Sequence, residues 1–281
     1  MPRWNTVAII GPGLIGGSIG LALRNRGLAA HVSGIGRRRE SLAKALDLGA
    51  ATSISTSIDE GVKDADVVVV CTPVNEIAGH LLQAAAATPD RALLTDAGST
   101  KSSIVAKVET ALPKGKHFVG SHPLAGGEKN GVDFARADLF EGKIVVVTPT
   151  LKTNPADVPA VTEFWQSLGG NVLSISPEAH DCALATTSHL PHLVASAAAQ
   201  ITPVAALQLT AGGWRDLTRI ASGNPDLWSQ ILLDNRASIL NSLAGFEKTM
   251  ADFRAALEKA DATKLRQLLM EGKLRRDALG N

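Results

Sequence analysis

Short apolar runs alternate with amphipathic stretches through the first 176 positions, and beyond Pro177 only helical periodicity remains. The runs at 7–10, 31–35, 67–71, 92–96, 117–120, 144–148 and 171–176 have the length and β-branched content of buried strands. Amphipathic stretches opening near Ser18, Arg39, Val74 and Lys101 separate the first five. Strands spaced by helices predict a parallel sheet covered on both faces. After Glu178 the pattern predicts no strand. Pro191 and Pro203 interrupt the helical period, and Gly212-Gly213 predicts a turn. The tail predicts one long helix over 226–260 and a shorter one from Ala262. The expected architecture is α/β: a doubly wound, mostly parallel sheet over residues 1–176, then an all-helical domain over 177–281.

In the predicted long helix, Ile239, Leu243, Phe246, Met250, Phe253 and Leu257 recur at spacings of four and three, the pattern of a coiled-coil seam. Packing within the chain is one explanation. A homodimer interface is the other, and the small size of the helical half favours it.

The first apolar run ends in Gly11-Pro12-Gly13-Leu14-Ile15-Gly16-Gly17-Ser18. A glycine turn between strand and helix is the setting of a dinucleotide fingerprint and a Rossmann-type fold. Gly11 permits the tight turn, Gly13 admits a pyrophosphate to the backbone, and Gly16 allows close helix–strand packing. Leu14 and Ile15 fall in the turn just ahead of the helix, whose free N-terminal amides and dipole favour phosphate. An acid about 20 residues further on would read the ribose hydroxyl of NAD. Gly36 stands there instead, followed by Arg37 and Arg38, and guanidinium suits a 2′-phosphate. NADP is therefore expected over NAD. The alternative is a solvated basic helix start.

Composition narrows the classes. The 281 residues are 45% hydrophobic, enough for a substantial core. No stretch is apolar enough to span a bilayer. The first residues carry no signal-peptide pattern, so a cytoplasmic location is expected. The two cysteines, Cys71 and Cys182, make no disulfide framework. A net charge of +1 gives no reason to expect nucleic acid or an anionic membrane as partner. There is no tyrosine, which excludes dehydrogenases that depend on a Tyr-x-x-x-Lys acid.

Polar residues gather at three predicted strand ends, where open α/β sheets bind ligands. Thr72 and Pro73 would border a cofactor ribose. Asp96-Ala97-Gly98-Ser99-Thr100-Lys101 precedes a helix, where Ser99 could equally be a cap. His122, in Ser121-His122-Pro123-Leu124-Ala125-Gly126, is a general-base candidate. His189 and His192, with Glu178 and His180 nearby, raise the question of zinc. Pro191 between them gives poor ligand geometry, so no metal is expected.

Together these segments resemble the prephenate/arogenate dehydrogenase family. The glycine turn, the Asp96–Lys101 and Ser121–Gly126 segments, Ser188-His189-Leu190-Pro191-His192, Asp216-Leu217-Thr218-Arg219-Ile220-Ala221 and Asn224-Pro225-Asp226-Leu227-Trp228 carry the resemblance, in order, over about residues 6 to 250. It implies a nucleotide-binding domain, a helical dimerisation domain and a small-molecule substrate, a cyclohexadienol bearing a ring carboxylate. The resemblance implies that His122 accepts a hydrogen bond from the substrate hydroxyl. Ser99 would orient that histidine, touching both substrate and cofactor. Arg219 would bind a substrate carboxylate, with His192 and Trp228 near the other end of the substrate. Glu128, Asp216 and Arg215 would form a gating ion-pair network. Prephenate is preferred over arogenate because His192 suits a keto acid better than an ammonium group; dual specificity is the alternative. A β-hydroxyacid dehydrogenase would resemble its family in an early lysine of the helical domain, and none lies between Lys152 and Lys248. A non-catalytic NAD(P)-sensing regulator would need the glycine turn but not Ser99, His122 and Arg219 together.

Overall fold

The computed structural model describes residues 1–127 and 129–280. Contacts divide the chain into two compact units, 1–235 and 236–281.

The first unit is built on β1 (Trp4–Ile10), α1 (Leu14–Asn25), β2 (Ala29–Ile35), α2 (Arg39–Asp47), β3 (Ser53–Ser55), α3 (Ile58–Val62), β4 (Val67–Val70), α4 (Val74–Ala87), β5 (Leu93–Asp96), α5 (Ser102–Ala111) and β6 (His117–Phe118). These six strands form one parallel sheet in the order β3-β2-β1-β4-β5-β6. That is the dinucleotide-binding order, with the ligand crevice at the carboxyl ends where the order reverses. Burial explains the continuous apolar runs: Val67, Val68, Val69 and Val70 face alternate sides of the sheet, yet all are buried. One core lies beneath α1 and contains Val7, Ile9 and Trp165. The other lies beneath α4 and α5 and contains Ile10, Leu81 and Val108.

A second sheet follows, ordered β7-β8-β9, from β7 (Gly120–Pro123), β8 (Ile144–Thr148) and β9 (Asn171–Ser174), with α6 (Asp157–Ser167) between the last two. The predicted strand at 117–120 is thus two strands in two sheets. Val119 is the hinge, its amide still bonded to Leu94 O at 3.1 Å. From there β7 leaves the parallel ladder and pairs antiparallel with β8.

Helices α7 (Pro177–Leu184), α8 (Leu190–Ile201), α9 (Gly212–Thr218) and α10 (Pro225–Asp234) complete the first unit. A π-helical stretch, Ala185–His189, joins α7 to α8 and absorbs Pro191 at the start of α8. The second unit pairs α11 (Arg236–Glu258) with α12 (Ala262–Asp277). Asp261 caps α12 by accepting from Lys264 N at 2.9 Å.

Three sequence expectations need correction. The first helix begins at Leu14, four residues before Ser18, because its glycines are packing contacts rather than breakers. A Cβ on Gly20 would lie 1.9 Å from Ala50 O, and one on Gly17 would lie 2.9 Å from Ala135 Cβ. The helix expected over 226–260 breaks at Asn235, whose side chain is drawn into tertiary hydrogen bonds. Gly212-Gly213 is the first turn of α9, anchored by Trp214 Nε1 donating to Thr202 Oγ1 at 3.0 Å. The short elements β3 and α3, only three and five residues long, have no clear period in the sequence. Among the described residues, no helix is long and apolar enough to cross a membrane.

Candidate active site

The glycine turn sits at the carboxyl end of β1. Gly11 has φ +90°, a left-handed conformation open to glycine, and a Cβ there would approach Cys71 O to 2.9 Å. At Gly16 an added Cβ would meet Gly11 O at 2.4 Å and Ile9 Cγ2 at 2.8 Å. Gly13 differs: a Cβ there would meet nothing within 4 Å. Its lack of a side chain has no internal packing reason, whereas a pyrophosphate brought against the backbone supplies one. Leu14, Ile15 and Gly16 follow in the first turn of α1, whose amides lack intrahelical partners. Thr72 and Pro73 lie beside this turn; Thr72 Oγ1 is 3.0 Å from His80 Nδ1. The Cys71 thiol is pushed up by burial and then by Asp96, so it stays protonated. Past β2, Gly36 N donates to Ser55 O at 3.2 Å. Arg37 and Arg38 are exposed, and Arg37 reaches Glu76 at 3.3 Å. These residues fit a dinucleotide.

His122 lies within β7, opposite Val146 of β8, not in a loop after a strand. Its neighbour Ser121 faces the other way, into the core. There Ser121 Oγ is 2.8 Å from Thr95 Oγ1 and accepts from Trp165 Nε1 at 2.8 Å. Buried Lys101 ties β5 to β7: its ammonium pairs with Asp96 and donates to Ser121 O at 3.0 Å. Asp96 in turn accepts from Ser121 N and Gly98 N at 3.1 and 2.9 Å. Burial lowers the Lys101 pKa, opposed by Asp96. Breaking such a pair leaves an uncompensated buried charge.

The segment carrying Ser99 is pinned on its far side. Thr100 Oγ1 donates to Asp234 Oδ2 at 2.6 Å. The first amides of α5, Lys101 N and Ser102 N, donate to Asp181 Oδ1 and Oδ2 at 2.8 and 2.9 Å. Asp181 therefore supplies the cap for which Ser99 was the sequence's candidate, and Ser99 is half-buried in the loop before α5.

Asp181 is also the node of a histidine network. His180 Nδ1 lies 2.8 Å from Asp181 Oδ1, and His180 Nε2 lies 2.8 Å from His122 Nδ1. Asn235 Nδ2 donates to Asp181 O at 2.7 Å and lies 3.1 Å from His189 Nδ1. His189 meets Trp228 edge-on, and Trp228 stacks on His192 with ring centroids 3.6 Å apart. Contacts thus run unbroken from His122 to His192. Burial, followed by the neighbouring His180, Lys101 and His189, holds the His122 ring well below the usual imidazole range. Burial pushes His189 down to about 4 and also lowers His192. For Asp181, burial raises the pKa, but hydrogen bonds from His180, Ser102 and Lys101 outweigh it and leave the carboxyl low. The arrangement offers neutral imidazoles as acceptors beside an ionised carboxylate. His192 Nδ1 is buried without a protein partner, leaving hydrogen-bonding capacity for a ligand.

Arg219 opens a 3-10 turn, Arg219–Ser222, and is exposed. Arg215 and Asp216 are exposed on α9. Glu128 lies outside the described residues. His180, Asp181, Lys101 and Asn235 went unassigned in sequence. The nearest signal is Ser176-Pro177, which caps α7 and so fixes where His180-Asp181 falls.

Two family models cover nearly the whole chain: the prephenate dehydrogenase nucleotide-binding domain matches residues 19–174, and its dimerization domain matches 176–271. The chain is 35% identical to prephenate dehydrogenase of Bacillus subtilis over 98% of its own length and 76% of that protein's. It is 33% identical to cyclohexadienyl dehydrogenase of Zymomonas mobilis over 99% of this chain and 97% of that one. The solved prephenate dehydrogenase of Aquifex aeolicus, in complex with hydroxyphenyl propionate and NAD+, superposes with a TM-score of 0.90. That structure is 34% identical, and the match covers 98% of each chain. With its parallel sheet, glycine cradle and buried histidine network in place, the chain belongs to the prephenate dehydrogenase family.

Proposed function

We propose that this chain catalyses the oxidative decarboxylation of prephenate to 4-hydroxyphenylpyruvate, with His122 as the acceptor for the substrate's C4 hydroxyl. The observation that carries this assignment is a neutral His122 held at Nδ1 within β7. A bound nicotinamide dinucleotide supplies the hydride acceptor. As hydride leaves C4, His122 takes the hydroxyl proton and the oxygen becomes a carbonyl. The bond to the ring carboxylate then breaks, carbon dioxide departs, and its electron pair aromatises the ring. The phenolate formed takes the proton back from His122, so the balance needs no further acid or base. Aromatisation drives the reaction, and no metal is called on.

In this reading Ser99 orients His122, touches the substrate hydroxyl and borders the nicotinamide. Arg219 holds a substrate carboxylate, where a bidentate pair fixes ring orientation. His192 and Trp228 receive the other end of the substrate, and Arg215, Asp216 and Glu128 gate the entrance. A neutral His192 supports a keto acid over an amino acid, hence prephenate before arogenate. Exposed Arg37 and Arg38, with no acid at Gly36, support NADP before NAD. The domain boundary is proposed at 176/177, with the α11 seam pairing against a second copy. Met250 and Leu257 on that seam are 50% and 65% exposed, apolar surface that a partner would cover.

The test is reduced-nicotinamide absorbance with prephenate or arogenate, each with NAD and NADP. Turnover highest with prephenate and NADP is expected. A higher kcat/KM with arogenate or with NAD reverses the corresponding preference. Silence in all four with tight cofactor binding favours a regulator.

A further inference from the structure

We infer that His180 and Asp181 are positioning residues that set the tautomer of His122, placing its proton on Nδ1 and leaving Nε2 bare for the substrate. The inference rests on the acceptor role proposed for His122 and extends it to two residues that role does not include.

Donors and acceptors around His180 fix where each proton sits. Ionised Asp181 can only accept. Its two oxygens take the first amides of α5, and Oδ1 also lies 2.8 Å from His180 Nδ1. A carboxylate at a helix N-terminus is in a favourable field, and the low carboxyl pKa agrees with its full set of donors. His180 Nδ1 must therefore carry a proton. In a neutral His180 that leaves a lone pair on Nε2, which faces His122 Nδ1 at 2.8 Å. Two lone pairs do not face each other at that distance, so His122 carries Nδ1–H. Its remaining nitrogen, Nε2, is then an acceptor, the form that removal of a hydroxyl proton requires. A His180 cation would reverse the outcome: it would donate from Nε2, and His122 would hold its proton on the nitrogen that should be bare.

The arrangement is rigid. His180 is fully buried, and Asp181 is 4% exposed. Asn235 fixes the backbone of Asp181 through its carbonyl. Partners behind a working imidazole commonly set its tautomer and orientation, and losing one costs roughly 10- to 100-fold in metal affinity or activity at metal sites.

The experiment is long-range proton–nitrogen NMR on 15N-histidine enzyme free of ligands, with the His122 signals assigned by their loss in His122→Asn. Wild type is expected to show a protonated Nδ1 and a lone-pair Nε2 on His122. His180→Gln places an amide oxygen near the lost Nε2 and should keep that pattern; His180→Leu offers no acceptor and should mix the tautomers. In turnover, His180→Leu should lower kcat roughly tenfold or more with KM little changed, and His180→Gln should restore most of the loss. A protonated Nε2 on His122 in wild type overturns the inference, as do equal losses in the two variants. If His180→Leu does not fold, the wild-type spectrum decides alone. Because that spectrum needs no turnover, it separates failure of the inference from failure of the proposed reaction.

Discussion

The glycine turn after β1 and the imidazole network behind β7 belong to the same compact unit, yet they are assembled on different principles. The turn is made of backbone: its recognition groups are amides of consecutive residues, and glycine lets the chain come close to itself and to a ligand. The network is made of side chains drawn from positions 122, 180, 181, 189, 192, 228 and 235, and its properties come from burial. A backbone site tolerates any side chain that does not obstruct it. A buried side-chain site depends on the hydrogen-bonding character of every member.

The largest expected effect tests the side-chain site at its centre. His122→Asn should reduce turnover about a hundredfold or more, with cofactor affinity nearly unchanged because the cradle lies on other strands. A matching loss of cofactor affinity, measured by fluorescence titration, would show that the two regions are not separable in this way.

A pH effect on stability comes next. His122, His189 and His192 are all held below the ordinary imidazole range by burial. In the unfolded chain each protonates near 6.5, while the folded form resists. Below pH 6.5 the unfolded state therefore binds more protons, and stability falls. For His189 the loss accumulates from about 6.5 down to about 4, where the folded ring also protonates. Above 6.5 the contribution is fully present. Each unit of depression amounts to about 1.4 kcal/mol. Tm measured from pH 8 to 4 should drop most steeply between 6.5 and 4, and a flat profile there would contradict the buried neutral network.

The same contrast explains how far the sequence could be read. The parallel sheet was legible because its strands are continuous apolar runs, and the cradle because all its parts lie within eight residues. His122 and Ser99 could be singled out from strand-end chemistry, and their family roles came from local motifs. His180 and Asp181 could not, since nothing local says that α7 will deliver a carboxylate to the N-terminus of α5. The break at Asn235 was hidden for a related reason: the helical period runs on through it, and only bonds to Asp181 and His189 show why the chain stops. The split of residues 117–123 between two sheets likewise depends on β8, more than 20 residues later in sequence.

Two glycines only three positions apart sharpen the account of the cradle. A Cβ on Gly16 collides with Gly11 O, so Gly16→Ala should cost roughly 1–3 kcal/mol of stability. A Cβ on Gly13 meets no protein atom within 4 Å, so Gly13→Ala should leave Tm unchanged. If a pyrophosphate approaches that backbone, Gly13→Ala should still weaken dinucleotide binding about tenfold, or about 1.4 kcal/mol. Unchanged binding and unchanged Tm together would mean that the phosphates do not pass over Gly13.

The smallest effect tests the one part of cofactor recognition that rests on a side chain. Arg37 is 80% exposed, and its 3.3 Å pair with Glu76 is the kind of surface contact worth little on its own. Removing it should therefore leave folding untouched. Against a 2′-phosphate the same guanidinium gains a charge-assisted, potentially bidentate partner that the NAD ribose lacks. Arg37→Ala should thus raise the NADP dissociation constant several-fold, roughly 1 kcal/mol, and leave NAD nearly where it was. The difference should shrink with added salt, since an exposed pair is screened over a Debye length of about 8 Å at physiological ionic strength. Equal losses for both dinucleotides would make Arg37 a solvated charge at a helix start, and cofactor choice would then fall to Arg38 or to the absence of an acid at Gly36.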